Sequence, residues 1–169
     1  MEYQIRQASV EDADAVVRMH TLAHEECYGH LLSPAFFDAR RASMPERVEK
    51  RRPYLDSAQP RIIALDESNE IVGFADAGTG HDDDLPGELE LYSIYTLSRT
   101  HGTGFGGALL KAALGNLPAY LWVLEANLRA QAFYAKNGFQ PDGTRKLLSP
   151  DWEELPEIRM VRSDISPGI

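Results

Sequence analysis

The stretch that decides the fold of this chain is Glu90-Leu-Tyr-Ser-Ile-Tyr-Thr-Leu-Ser-Arg-Thr-His101-Gly102-Thr103-Gly104-Phe105-Gly106-Gly107. Residues 88–97 are rich in aromatic and branched side chains that alternate with others, which predicts a strand. Residues 104–114 combine apolar residues with alanines and predict a helix. The glycines between them allow positive φ and the close approach of a ligand, and the first N–H groups of the helix attract an anion. This stretch therefore predicts an anion site suited to phosphate.

The composition is that of one globular domain. Hydrophobic residues make up 43% of the 169 residues, and we expect a single domain over residues 1–169 with its core at about 3–162. The 17 Lys and Arg residues against 26 Asp and Glu give a net charge of −9, which argues against nucleic-acid and membrane partners and weakly favours cationic substrates. Cys27 is the only cysteine, which fits a reducing compartment. No apolar run is long enough for a membrane span or signal core, so we expect a cytoplasmic protein.

Periodicity and turn residues predict strands and helices on both sides of the central stretch. The predicted strands are residues 3–8, 61–65, 71–77, 88–97 and 119–124, with two more around 144–148 and 155–162. Predicted helices begin at the Ser9–Asp12 capping box, at Ser33-Pro34, at 104 and at 127, and the charged segment 45–56 extends the second as another helix, broken near Pro53. The fully apolar strand 119–124 should be buried on both faces.

Two polar features allow more than one interpretation. Residues 80–87 predict a mobile loop, whose aspartates Asp82 to Asp84 are expected to be solvated, although they could also attract a cationic substrate. His20 and His24 are four residues apart on the first helix and could share a metal ion. Thr21 follows the first histidine where the zinc-protease motif requires Glu, so we expect a packed His20, a His24 near the mouth of a substrate site, and no metal.

The glycine pattern has a rival interpretation. Gly102-x-Gly104-x-x-Gly107 after a strand matches the dinucleotide fingerprint, and Glu125 stands near the place of its ribose-binding acid. That fold needs a second nucleotide-binding half, and too few residues follow Glu125 to form one. A Walker loop is excluded because no Lys-Ser or Lys-Thr follows the glycines.

A second motif lies downstream, where Asn127 is followed seven residues later by Tyr134 and then by Gly138-Phe139. With His101-x-x-Gly104-x-Gly106, the chain resembles the GNAT superfamily of N-acetyltransferases. That family's cofactor loop reads Gln/Arg-x-x-Gly-x-Gly/Ala, and its later motif has the same Asn, Tyr and Gly-Phe. The resemblance implies a mixed α/β (α+β) fold in the order β-α-α-β-β-β-α-β-α-β-β, with strands 94–96 and 119–124 splayed to form a cleft for acetyl-CoA.

The resemblance also implies which residues hold the cofactor. Backbone N–H groups of the glycine loop would bind the pyrophosphate, a strand would pair with the pantetheine arm, and an N–H near Tyr95 would stabilise the thioester oxyanion. Asn127 would reach the cofactor with its side-chain amide, or serve as a helix N-cap, or do both. The implied cofactor-binding residues are Ile94, Tyr95, Thr96, His101, Gly102, Thr103, Gly104, Phe105, Gly106, Gly107, Asn127 and Tyr134.

Two residues have implied catalytic roles. Tyr134 is the family's usual general acid towards the CoA thiolate, and its alternative role is that of a buried core tyrosine. Glu90 is the first choice as general base, with Glu88 and Asp76 as substitutes, and its alternative role is that of a solvated strand carboxylate. The candidates for substrate contact are His24, Tyr28, Glu88 and Tyr92.

The sequence thus favours an acetyl-CoA-dependent N-acetyltransferase. An amine on a small molecule, peptide or protein would attack the thioester directly within a ternary complex, and no metal is expected. The alternative is a non-catalytic acyl-CoA-binding or regulatory domain on the same scaffold. Both a monomer and a homodimer are compatible with the sequence.

Two residues depart from the family pattern, since His101 replaces Gln or Arg and Ser98 stands where proline is common. We expect the dissociation constant for CoA to rise between about pH 6 and pH 8, because imidazole loses its positive charge over that range. Calorimetric titration of CoA across this range checks the expectation. A flat profile, or the same slope in His101→Gln, would remove the role of His101.

Overall fold

The computed structural model describes residues 2–163 of the chain. These residues form five α-helices and seven strands. In chain order they are β1 (Gln4–Gln7), α1 (Ala13–Tyr28), α2 (Pro34–Ala42), α3 (Met44–Leu55), β2 (Arg61–Leu65), β3 (Ile71–Thr79), β4 (Leu89–Thr96), α4 (Phe105–Leu114), β5 (Ala119–Leu124), α5 (Leu128–Lys136), β6 (Gln140–Leu147) and β7 (Pro156–Arg162). None of the helices within 2–163 is long and apolar enough to span a bilayer.

The strands are hydrogen-bonded in the order β1-β2-β3-β4-β5-β7-β6. β4 runs parallel to β5, with Leu89 to Leu91 beside Ala119 to Leu121. The pairs β1–β2, β2–β3, β5–β7 and β6–β7 are antiparallel. This mixed sheet with its helices confirms the predicted fold class and is not the doubly wound sheet that a dinucleotide site requires. The predicted splaying of residues 94–96 from 119–124 stays a prediction.

Three helices stand between β1 and β2, where the predicted order had two. The reason is a break at Ser43, whose N–H bonds to the Ala39 carbonyl at the end of α2. Pro45 then lies in the first turn of α3, where the missing N–H of proline costs nothing. Pro53 was expected to break this segment, but it lies inside α3, which ends at Leu55.

The described residues divide into two compact units, 2–76 with 93–113 and 77–92 with 114–163. The core of the first contains residues of α1, such as Val16 and Ala23, together with Phe74 and Leu109. The buried positions of α1 recur at helical spacing, as expected of a helix that buries one face.

The core of the second unit is centred on β5. Tyr120 and Leu121 are each 1% exposed, and every residue of this strand except Trp122 is buried. Successive residues of a strand point to opposite faces of the sheet, so this burial confirms the prediction that the apolar run 119–124 is buried on both faces.

Replacing Leu121 by alanine should lower the free energy of unfolding by about 2–5 kcal/mol, since a fully buried leucine leaves a cavity behind. Chemical denaturation measures this loss. Leu147→Ala is the matched control, because Leu147 lies on a strand and is 57% exposed. It should change the stability by no more than about 0.5 kcal/mol. Equal losses in the two variants would contradict the assigned core.

Candidate functional site

The glycine loop of the first unit joins β4 to α4, and its backbone has a conformation that glycine adopts most readily. Gly102 and Gly104 have φ values of +77° and +85°. A methyl group placed on Gly102, Gly104 or Gly107 would meet no heavy atom within 4 Å apart from its immediate chain neighbours and the backbone of its own helix. The glycines are therefore explained by backbone conformation and by open space beside the chain, which a bound anion can approach.

The N–H groups of this loop are not all available to a ligand. The N–H of His101 donates to the Ser98 carbonyl at 3.1 Å, and that of Thr103 donates to the Thr100 carbonyl at 3.4 Å. The prediction that backbone N–H groups between His101 and Gly107 bind phosphate stays a prediction, in which those of His101 and Thr103 are the less suitable donors. The first N–H groups of α4 have no acceptor within the helix, so they and the glycine N–H groups are the suitable donors. Phe105 can contribute only its backbone, because its ring is 1% exposed and packs on Tyr3.

The departure at Ser98 has a structural explanation. The Ser98 N–H donates to the Glu26 carboxylate on α1 at 2.7 Å. Proline has no N–H and could not make this bond. The serine thus ties the start of the glycine loop to α1, a role for Glu26 that no local sequence pattern indicated.

An aromatic cluster surrounds Tyr95 of β4. Its hydroxyl lies 3.1 Å from the Tyr28 hydroxyl, and its ring lies 4.8 Å from both His20 and His24. His24 is 1% exposed, and burial followed by the charges of nearby arginines lowers its pKa to about 2, which keeps the imidazole neutral. Such burial favours a packing role for His24, and its contact with substrate stays a prediction. Nowhere in residues 2–163 do three or more His, Cys, Asp or Glu side chains form a group suited to a metal.

Asp76, a substitute candidate for the base, is 1% exposed and bound by Arg51 in a bidentate ion pair. The two oxygens lie 2.8 and 3.0 Å from the Arg51 Nη atoms. Burial raises the pKa of Asp76, while Arg51 opposes the shift. This geometry favours a structural role for the carboxylate.

In the second unit, Glu90 lies in a defined hydrogen-bond network. Its carboxylate accepts bonds from the Tyr120 hydroxyl at 3.2 Å and from the His81 N–H at 3.1 Å, and it lies 2.8 Å from the His81 ring Nδ1. The Tyr120 hydroxyl in turn accepts the N–H groups of His81 and Asp82. Burial raises the Tyr120 pKa to about 12, and the charges of Glu90 and Asp82 act in the same direction. The tyrosine therefore stays a donor to Glu90 at neutral pH.

Gly80 makes this network possible. A methyl group on Gly80 would lie 2.5 Å from the Tyr120 hydroxyl oxygen and 2.8 Å from the Glu88 carbonyl. Any larger residue would displace the tyrosine.

Two other predicted site residues lie nearby in the sequence. Glu88 is exposed just before β4, and the Tyr92 hydroxyl donates to the Thr79 carbonyl at 2.5 Å.

Two aspartates of loop 80–87, Asp82 and Asp84, form ion pairs and are not simply solvated. Arg159, 5% exposed, binds the carboxylates of Asp82, Asp84 and Asp142 at 2.7–2.8 Å. These bonds, led by the one with Asp84, raise the pKa of Arg159 further above its ordinary value. The sequence interpretation missed this network because its members are up to 77 residues apart. Asp82 and Asp84 thus tether the loop.

The two residues of the downstream motif lie at opposite ends of α5. Asn127 caps the helix, since its side-chain oxygen accepts the Ala130 N–H at 3.1 Å. Asn127 is therefore a helix N-cap, which was one of its two predicted roles. This cap uses the side-chain oxygen and leaves the amide nitrogen for other contacts. Tyr134 is 8% exposed and its ring packs between Phe133 and Phe139. The tyrosine ring is thus in contact with two aromatic neighbours.

The sequence model described as the acetyltransferase (GNAT) family matches residues 21–139, more than half of the chain. The chain belongs to this family.

Relatives of this GNAT protein have been found by sequence and by structure. Over 98 residues it is 39% identical to uncharacterized N-acetyltransferases of Mycobacterium bovis and Mycobacterium tuberculosis, a match that covers 54% of this chain and 60% of theirs. The PaiA N-acetyltransferase of Thermoplasma acidophilum, crystallised in complex with coenzyme A, has a TM-score of 0.74 at 19% identity and covers 96% of this chain and 99% of its own. A Corynebacterium glutamicum structure described as "histone acetyltransferase HPA2 and related acetyltransferase" has a TM-score of 0.69 at 26% identity, with both chains fully covered. The structural likenesses confirm the GNAT fold.

Glu125, the acid of the rival dinucleotide interpretation, is exposed in this GNAT protein. It forms an ion pair with Arg145 at 3.1 Å, in which both side chains are about half exposed to water. This pair is an ordinary surface contact.

Replacing Arg159 by methionine should lower the free energy of unfolding at neutral pH by about 3 kcal/mol, because Asp82 and Asp142 lose a buried partner. The hydrogen bond from Arg159 lowers the pKa of Asp84 below its ordinary value of 3.8. A carboxyl with a lowered pKa stabilises the fold above its ordinary pKa and loses that contribution as the pH falls through the lowered value. The difference in the free energy of unfolding between Arg159→Met and wild type should therefore become smaller below about pH 4.

Denaturant unfolding at neutral and acidic pH tests this expectation. Arg145→Met is the control, since the exposed pair with Glu125 contributes at most about 1 kcal/mol. A difference for Arg159→Met that stays constant down to about pH 3 would show that the network does not stabilise the fold through its charges.

Proposed function

We propose that this protein transfers an acetyl group from acetyl-CoA to an amine-bearing acceptor, by direct attack of the amine in a ternary complex. The observation that carries the proposal is the loop from His101 to Gly107, with two positive-φ glycines ahead of α4 and open space beside Gly104 and Gly107. Such a loop can bind a pyrophosphate through backbone N–H groups and the helix dipole. Family membership supports the same cofactor.

We propose that the cofactor is held by backbone and side chains named from the family pattern. The N–H groups of Gly102 and of Gly104 to Gly107 bind the pyrophosphate, residues 94–96 of β4 pair with the pantetheine arm, and Asn127 contributes its amide nitrogen. When bound, acetyl-CoA supplies an electrophilic thioester carbonyl. The N–H near Tyr95 stabilises the negative charge that develops on the carbonyl oxygen.

The chain's own residues would move the two protons of the reaction. Glu90 removes a proton from the acceptor ammonium, which frees the nitrogen lone pair for attack on the acetyl carbon. Tyr134 donates its hydroxyl proton to the departing thiolate as the carbon–sulfur bond breaks, and the second proton that the acetylated nitrogen loses restores the Tyr134 hydroxyl. A tyrosine hydroxyl, with an ordinary pKa of about 10, is protonated at neutral pH and is suited to this role.

The environment of Glu90 supports its choice as the base. Its carboxylate is 12% exposed and is oriented by Tyr120 and His81. Asp76 is less suitable because Arg51 occupies both of its oxygens, and Glu88 is less suitable because nothing comparable orients its exposed side chain. Tyr28 and Tyr92 stay as predicted substrate contacts.

The single-domain organisation and the cytoplasmic location also stay predictions. The same holds for the choice between monomer and homodimer, and for the absence of nucleic-acid and membrane partners.

Incubation with acetyl-CoA and a panel of amines, followed by detection of free thiol, tests the activity. Tyr134→Phe should lower kcat by about 100-fold, the lower range for a general acid, while CoA binding stays near normal. Cys27→Ala should keep full activity, since no covalent enzyme intermediate is proposed. A fully active Tyr134→Phe would show that another group donates the proton.

Two further results would separate binding from catalysis. Gly104→Val should abolish CoA binding, because valine is strained at a φ of +85° and fills the open side of the loop. A protein that binds CoA but releases no thiol with any amine would be a non-catalytic acyl-CoA-binding domain.

A further inference from the structure

A pocket in the first unit is lined by an unusual number of cationic groups. Its volume is about 330 Å³, and α1, α2 and α3 form its walls. The polar and aromatic side chains that line it are His20, Arg40, Arg47, Lys50, Arg51 and Tyr54. Although the whole chain has a net charge of −9, residues 34–55 contain six basic side chains against three acidic ones. Net charge therefore gives no guide to the chemistry of this pocket.

Arg51 and Lys50 have carboxylate partners. Arg51 is neutralised by the buried Asp76, and Lys50 pairs with Glu46 on the exposed side of α3. Arg47 is different, because no carboxylate among residues 2–163 forms an ion pair with it. Its Nη1 donates to the Thr21 hydroxyl at 2.7 Å and to the Arg40 carbonyl at 3.3 Å. These two bonds hold the guanidinium in place and leave its charge uncompensated.

The surroundings of Arg47 oppose its charge. Burial, followed by the charges of Arg40 and Arg51, lowers its pKa to about 10. The pKa of the neighbouring His20 is well below its usual value. Burial is the largest cause, followed by the charge of His24 and then by the charges of the three pocket arginines. Folding alone does not explain why Arg47, which forms no ion pair within the described part of the chain, is held beside Arg40 and Arg51, since cations in a half-buried site repel each other. Such an arrangement is typical of a binding site for an anion.

The pocket adjoins the aromatic cluster around Tyr95. His20 lines the pocket, and its ring lies 4.8 Å from the ring of Tyr95. Residues 94–96 are the part of β4 to which the proposed function assigns the pantetheine arm and thioester. An acceptor held here by one end is therefore close to the segment where acetyl transfer is proposed.

We propose that the acceptor carries a carboxylate in addition to its amine, and that Arg47, assisted by Arg40, binds this carboxylate in the pocket between α1, α2 and α3. This proposal rests on the proposed acetyl transfer. The guanidinium group matches a carboxylate geometrically, since its planar N–H groups can donate two parallel bonds. Net charge weakly favours a cationic substrate, and the proposed acceptor keeps its cationic ammonium group while adding a carboxylate.

The test compares amino acids of different chain length with their carboxamides, which keep the amine and lose the negative charge. With acetyl-CoA and thiol detection, wild type should prefer the best amino acid over its amide by about 10- to 100-fold in kcat/KM, the range of a hydrogen bond to a charged group. Arg47→Gln should remove this preference by raising the KM for the amino acid. Arg52→Gln is the matched control, because Arg52 lies on the same helix, pairs with Glu49 and is not among the lining residues.

Folding of the variants can be checked independently. Arg47→Gln removes an uncompensated charge, so its thermal unfolding midpoint should be no lower than that of wild type. Should it fold poorly, Arg47→Lys keeps the charge, loses the planar fork, and is expected to lower the preference in part. Equal turnover of amino acid and amide by wild type, or an unchanged preference in Arg47→Gln, would overturn the pocket assignment while leaving acetyl transfer intact.

A binding measurement separates failure of the pocket from failure of the proposed function. Succinate, which has carboxylates and no amine, is titrated calorimetrically into the protein without acetyl-CoA. Heat of binding that disappears in Arg47→Gln and persists in Arg52→Gln would support the pocket, even if no amine releases thiol. The absence of binding in wild type would overturn it.

Discussion

The first unit depends on a buried carboxylate that must have a cationic partner. Asp76 lies in β3 and is 1% exposed, and an isolated charge at such a position would be very unfavourable. Arg51 supplies two bonds to it, and the Arg51 guanidinium also lies over the rings of Tyr54 and Phe74 at about 5 Å. This pairing sets the position of α3 against β3. Because Arg47 and Lys50 lie on the same helix, it also sets the position of the cationic pocket.

The second unit satisfies a similar constraint with the opposite sign. Arg159 is a buried guanidinium on β7, and the aspartates at 82 and 84 compensate it together with Asp142. The loop that carries two of these aspartates also donates N–H groups to the Tyr120 hydroxyl, which orients Glu90. A residue far from the proposed chemistry thus contributes to the geometry of the proposed base. In both units, buried ionic groups link elements that are distant in sequence.

The parts of the fold that were predictable depend on local patterns. The strands Arg61–Leu65 and Ala119–Leu124 were predicted to the residue, because turn residues or glycine bound each apolar run. The helix after the glycines and the helix after Asn127 were each predicted to within one residue. The third helix is harder to predict, because a proline inside a helical segment predicts a break, whereas Pro53 does not end α3 in the structure. Prediction was weakest where polar side chains pair over long separations, as for Arg159, Arg51 and Glu26.

The sequence by itself determined the family, the order of most elements and the loop that is proposed to bind the cofactor. These follow from glycine spacing, hydrophobic period and the Asn127–Tyr134 interval, which act over a few turns of chain. Only the tertiary structure decided which charges are neutralised. Lys50, Arg51 and Arg159 have carboxylate partners, whereas Arg47 shares its pocket with other cations. Charge compensation depends on distance in space, because the Coulomb interaction strengthens as groups approach and leave water. Composition could therefore suggest a cationic acceptor, while the pocket around Arg47 is the basis for proposing an acceptor that carries a carboxylate beside its amine.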